Sequence, residues 1–224
     1  MNFLFISEKV VQDFEKLQRS IERIYDVGGV SRIMEYLIDG KMLQKFSEIQ
    51  DVEIREGVYI LEEKRETHVG VFLKPERFEA FEHGSPLESL GQENIEDFLT
   101  VIEEISHFVY LMWSFGKKRP VSQLSLELQG EVDKYLTTVF HLAAQNGGHF
   151  PSEVLQRLFG EPRWVEGVDG EVQERYQLAN KLAYRYCVHL EKEFFHRANL
   201  PALLQELRRF YRRDLQSKLS KILH

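Results

Sequence analysis

Residues 94–115 read NIEDFLTVIEEISHFVYLMWSF, and this stretch decides the fold class. Asn94 stands where a helix N-cap belongs, with Asp97 three residues on. The second half is almost continuously apolar, from Phe108 to Trp113. A helix apolar all round is buried on more than one side, so this segment predicts the centre of a helical bundle. Gly116-Lys117-Lys118-Arg119-Pro120 ends it, with cations at the C-terminal end where the helix dipole favours them.

Working toward the C-terminus, the pattern stays helical. Ser122 opens a helix that runs to Asn146-Gly147-Gly148, and a short helix covers 151–159. A turn-rich stretch from Gly160 to Gly170 carries Pro162 and Trp164. A helix over 171–197 follows, with Asp169 near its N-cap and acids in its first turn. Asn199 and Pro201 restart the chain as a final helix over 201–223. Short connections between long helices favour antiparallel neighbours.

The front of the chain differs. Val10, Val11, Phe14, Leu17, Ile21 and Ile24 mark an amphipathic helix over 9–24, ended by Asp26-Val27-Gly28-Gly29. A second helix is predicted over 30–38 and a short third over 41–49. Near-even spacing of Val52, Ile54, Val58, Ile60 and then Thr67, Val69, Val71, Leu73 predicts a β-hairpin, roughly 52–62 paired with 66–74. A two-stranded hairpin is marginal alone, so it must pack on the N-terminal helices or recruit a strand such as Asn2–Ile6. The expected class is mainly α (α+β). A small N-terminal αβ region, 1–75, precedes an antiparallel helical bundle, 76–224.

Bulk properties narrow the function. Apolar residues make up 43% and charged residues 29%, with too few prolines and glycines for a low-complexity chain. The lone cysteine, Cys187, excludes an internal disulfide and points to a reducing cytoplasm. The N-terminus lacks the basic start and longer apolar run of a signal peptide, and no apolar run approaches the length of about 20 needed to span a bilayer. Residues 1–110 hold 12 Lys/Arg against 23 Asp/Glu, while residues 111–224 hold 17 against 13. A globally acidic chain argues against a dedicated nucleic-acid binder. The asymmetry offers an intramolecular contact or a homodimer partner.

One constellation could carry chemistry. Glu104-Ile105-Ser106-His107 and Glu193-Phe194-Phe195-His196 are two Glu-x-x-His pairs on predicted helices. Residues three apart share a helical face, and carboxylate with imidazole is a ligand set for iron, manganese or zinc. Two such helices plus a Glu from each of two others is the pattern of ferritin-like di-iron bundles. Glu127 or Glu131 could complete the set. Here the helix order departs from that pattern, because 76–93 is short and broken. The plain alternative is that Glu104 and His107 pair with each other or with Lys134, as buried polar groups do.

Other features point to contacts rather than catalysis. No Walker, nicotinamide-binding or Gly-x-Ser-x-Gly fingerprint occurs. Cys187 lies on an apolar face as a small core thiol. The final helix has an apolar stripe, with Arg208, Arg209, Arg212, Arg213, Lys218 and Lys221 on the rest. Such a helix binds an acidic partner, a nucleic-acid backbone or an anionic surface, or packs its stripe on the bundle. Trp164, in an irregular segment, is a candidate contact. The resulting expectation is a non-enzymatic interaction or regulatory protein that binds a protein partner or itself. A metal-binding bundle is the first alternative and a basic-helix surface binder the second.

Overall fold

The computed structural model describes residues 6–50, 55–63, 66–151, 153–160, 169–195 and 199–224. The first helix, α1 (Glu8–Tyr25), begins where the Ser7 side chain accepts from the Val10 amide, and ends at Asp26 in the left-handed region with φ 54°. Its buried stripe is Val10, Phe14, Leu17, Ile21 and Ile24. The segment expected as a helix over 30–38 is instead one 3₁₀ turn, Ile33–Tyr36. Gln18 explains the tight turn: it accepts from the Ile33 amide at 2.8 Å and donates to the Ser31 carbonyl at 2.9 Å.

Helix α2 (Gly40–Gln50) leads to strands β1 (Gly57–Glu63) and β2 (Glu66–Phe72). They pair antiparallel, from Gly57 opposite Phe72 to Glu63 opposite Glu66. The extra edge contact comes from Leu37, which bridges Val71 in parallel while the Ile38 amide donates to the Val71 carbonyl at 2.9 Å. Residues 2–5 of the strand suggested at the N-terminus lie outside the described residues, as do 51–54. Gly70 permits this edge, since a Cβ there would stand 2.8 Å from the Ile38 side chain.

Helices α3 (Pro75–His83), α4 (Ile95–Gly116), α5 (Gln123–Gln145), α6 (Val154–Phe159) and α7 (Gly170–Leu190) follow, and α7 continues through a π turn, Glu191–Phe195. Asn94 precedes α4 but does not cap it with its side chain. Its amide donates to the Gly84 and Ser89 carbonyls, and its oxygen accepts from the Gly91 amide. The expected single helix over 201–223 is two: α8 (Leu200–Tyr211) and α9 (Leu215–Leu223), the second opened by Asp214 accepting from the Ser217 amide. The Asp214 cap competes successfully with helix continuation, which turns α9 back toward the core.

Helices α4 and α5 are antiparallel, pairing Glu103 with Lys134 and His107 with Glu127. Helices α5 and α7 are parallel, as Glu131 meets Asn180 and Tyr135 meets Glu191. The bundle is thus antiparallel only in part. The connection over 146–169 is long enough to carry the chain back before α7 begins.

The core runs across residue 75: Phe14 and Ile21 of α1 belong to the same buried cluster as Phe98, Ile102, Leu136 and Phe210. The hairpin is fastened to α3 and α4 by Arg77, which donates to both oxygens of Glu56 at 3.0 Å and to Asp97 at 2.6 Å. That forked geometry is the favourable one for guanidinium and carboxylate. No helix among the described residues is long and apolar enough to cross a membrane.

Candidate metal centre

The middle of α4 contributes Glu103, Glu104 and His107, and α5 contributes Glu127, Gly130 and Lys134; the charge of Arg175, in the first turns of α7, acts on Glu127. The antiparallel α4–α5 packing brings two acidic stripes against one imidazole. His107 reaches α5 because position 130 is glycine: a Cβ there would lie 2.9 Å from His107 Nε2.

Each ring nitrogen of His107 faces a carboxylate. Nδ1 lies 3.8 Å from Glu104 Oε2, and Nε2 lies 3.9 Å from Glu127 Oε2. Both separations exceed a hydrogen bond. Donor atoms of Glu103, His107 and Glu127 all lie within 4.8 Å of one another. Ligands bonded to one ion at roughly 2.0–2.2 Å stand about 3–4 Å apart, so small side-chain adjustments would close the triad around a cation.

The site is buried, yet its polar atoms are not all satisfied. Glu104 is 6% exposed. Glu104 Oε2, His107 Nε2 and Arg175 Nε have no hydrogen-bond partner among the described residues. Buried polar atoms in folded proteins are nearly always partnered, and leaving one unpaired costs about 1–3 kcal/mol. Two of these atoms belong to facing side chains, Glu104 and His107, so this cluster is under-partnered at its centre.

Electrostatics agree. Burial raises the Glu104 carboxyl above its ordinary value, and it pushes Glu127 up to about 7, helped by the charges of Glu103 and Glu104. Burial by itself would depress the His107 imidazolium. The surrounding Glu104, Glu127 and Glu103 carboxylates outweigh it and push the ring up to about 9. Burial, then the charges of Glu127, Glu103 and Glu104, raise the Tyr176 phenol, which puts α7 in the field of the cluster.

The sequence-level ligand set is redistributed. Glu104 and His107 do come together, but Glu104 faces Nδ1, the position of an orienting carboxylate behind a ligating imidazole. Glu103, four residues before His107, takes the place beside the imidazole and Glu127. Glu131 instead accepts from Lys134 at 2.6 Å, with Asn180 3.4 Å from its other oxygen. Glu193 is exposed in the π turn. It lies 13 residues beyond Asn180, about 20 Å at 1.5 Å per residue along a helix. His196 and Trp164 lie outside the described residues. The Glu103–His107 spacing of four, which also places two residues on one face, is the signal that could have found the pair.

The basic helix is largely spent inside the molecule. Arg208 donates to the Ile24 and Arg23 carbonyls at 3.2 and 3.4 Å, and Arg212 donates to the Asp26 carbonyl at 2.9 Å. They cap the C-terminus of α1, where carbonyls lack helical partners. Arg209 remains exposed and Arg213 half-buried. Lys218, read as part of the solvated face, is fully buried. Its Nζ donates to Gln129 Oε1 at 2.8 Å and to the Tyr110 hydroxyl at 3.3 Å, over the rings of Tyr110 and Phe210. Gln129 passes the network to Asp133, which also accepts from Tyr25 and Ser106. Cys187 is buried, and burial raises its thiol well above its ordinary value, so it is a poor nucleophile.

Comparison of the chain with protein-family models, curated proteins and solved structures finds no match to any. The site's own chemistry is therefore what carries a functional reading.

Proposed function

We propose that this chain is a helical-bundle protein that binds one divalent transition-metal ion through Glu103, His107 Nε2 and Glu127, with Glu104 holding the imidazole from behind. The observation that carries this reading is the unpartnered His107 Nε2 in a triad whose donor atoms lie within 4.8 Å of one another, with a second unpartnered atom, Glu104 Oε2, beside the ring. Two carboxylates and an imidazole suit manganese, iron or zinc. Lys134, 2.8 Å from Glu103 Oε2, positions that carboxylate between α4 and α5. Three protein ligands leave at least one coordination position for an exogenous group, the arrangement of a reactive rather than a purely structural site. A ligating imidazole must be deprotonated at the bonding nitrogen, so binding releases protons and weakens as pH falls.

The test is elemental analysis of chelator-treated protein reloaded separately with manganese, iron(II) and zinc, beside a His107→Ala/Glu127→Ala variant. About one equivalent in the wild type, absent from a variant with an unchanged circular-dichroism spectrum, is the expected result. No metal above background in folded wild type overturns the reading.

A further inference from the structure

Glu127, Gly130, Glu131 and Lys134 are spaced three and four apart on α5, so they share one face of it. That face meets α4 at Glu103 and His107. Lys134 is 2% exposed. Its Nζ donates to Glu103 Oε2 at 2.8 Å and to Glu131 Oε1 at 2.6 Å. Asn180 of α7 donates to the other oxygen of Glu131 at 3.4 Å. Glu103 also belongs to the triad, so one carboxylate serves both the ammonium and the metal position. A carboxylate shared by two neighbouring cations is the arrangement of a two-metal site, where the ions stand about 3.5–4 Å apart.

We propose that the Lys134 ammonium is the built-in second cation of this centre, sharing Glu103 with the bound metal ion and holding the site at one ion. This rests on the metal-binding reading above. A lysine ammonium is a compact point charge, the nearest side-chain equivalent of a small cation. It holds Glu103 and Glu131 at hydrogen-bonding distance, where a metal ion would draw the same oxygens in to roughly 2.0–2.2 Å. It differs from an ion in two ways that matter. It is tethered to α5, so it does not exchange, and it offers no coordination position to an exogenous group. The reactive position is thereby confined to the triad side. With Glu103 Oε2 engaged by the ammonium, the other oxygen of Glu103 is left for the metal. Removing the ammonium leaves Glu103 and Glu131 buried without their shared counter-charge, a state that a second divalent ion relieves.

The experiment titrates manganese(II) into full-length, chelator-treated wild type, Lys134→Gln and Lys134→Gln/Glu131→Gln. Equilibrium dialysis counts the bound ions, and electron paramagnetic resonance tells an isolated ion from a spin-coupled pair. The expected result is about one equivalent with an isolated-ion spectrum in wild type, and about two with a coupled spectrum in Lys134→Gln. The second ion should be lost again in Lys134→Gln/Glu131→Gln. One equivalent in folded Lys134→Gln overturns the proposal while leaving the metal centre standing. So does Lys134→Gln that stays unfolded in saturating manganese, because an ion should take over the place of the ammonium. Two equivalents in wild type also overturn it, since Lys134 then excludes nothing. Two equivalents in the double variant overturn the assignment of Glu131. Failure of wild type to bind manganese, iron(II) or zinc overturns the metal reading itself.

Discussion

The bundle contains two buried polar clusters on different faces of the same two helices, and they are built by opposite rules. Around Asp133, a carboxylate receives Tyr25, Gln129 and Ser106, and Gln129 hands on to Lys218. Asp133, Gln129 and Lys218 each have partners at hydrogen-bonding distance. Around His107, two carboxylates face the ring at 3.8 and 3.9 Å, and both Glu104 and His107 keep an orphan atom. Burial is similar; satisfaction is not. A fully partnered network fastens α1, α4, α5 and α9 into one arrangement. An under-partnered one stores unfavourable free energy that a ligand can relieve, which is how functional sites differ from structural ones.

The comparison breaks or sharpens in four ways. The largest effect expected is from Asp133→Ala, which strands Lys218 and its donors in the core. It should lower unfolding stability by about 3–5 kcal/mol, read from urea melts. Glu104→Gln in metal-free protein should cost under about 1 kcal/mol, because it removes a buried charge that is poorly paired. Equal losses would show that both clusters are structural.

Next, metal at one hundred times its dissociation constant should raise stability by about 2.7 kcal/mol. The increment should vanish in His107→Leu and persist in Ser106→Ala, which touches only the Asp133 cluster. Differential melts with and without manganese or zinc decide it.

The third test is pH, where the clusters should slope in opposite directions, by at most about 1.4 kcal/mol per pH unit for each proton. Burial lowers the Lys218 amine to about 7 in the folded chain, below its ordinary 10.5. The unfolded chain then binds more protons between those values, so stability rises with pH across that window. His107 is raised from 6.5 to about 9. The folded chain binds more protons there, so its contribution is full below 6.5 and is lost as pH rises through about 9. Subtracting the pH profiles of Lys218→Met and His107→Leu from that of wild type should reveal a rising and a falling difference. Two differences of the same sign would contradict the assignment.

The smallest effect on folding is expected from Gly130→Ala. Alanine favours a helix over glycine by about 1 kcal/mol, while its methyl would stand 2.9 Å from His107 Nε2 and push the ring. Stability should change by a few tenths, the two effects offsetting. Metal affinity should fall about tenfold, as when a ligand loses its support. Isothermal titration with zinc measures both numbers' consequence directly, alongside a thermal melt.

Much of the architecture was legible in the residues alone. The α1 stripe, the apolar second half of α4 and the alternation across 58–71 repeat at helical or strand period, and period is local information that a chain carries in order. The pairing of Glu104 with His107 was legible for the same reason, being one turn of one helix. What the sequence determined by itself stops there. Glu127 joins His107 from twenty residues away because α5 runs antiparallel to α4, and Asn180 reaches Glu131 because α7 runs parallel to α5. Lys218 shows the limit most plainly. On its helix it reads as one cation among a solvated row, and only the arrival of Gln129 and the rings of Tyr110 and Phe210 from other segments makes its burial favourable. Local pattern fixes which face of an element is apolar; tertiary packing decides which polar groups meet across the faces, because desolvating a charge is tolerable only where another element brings it a partner.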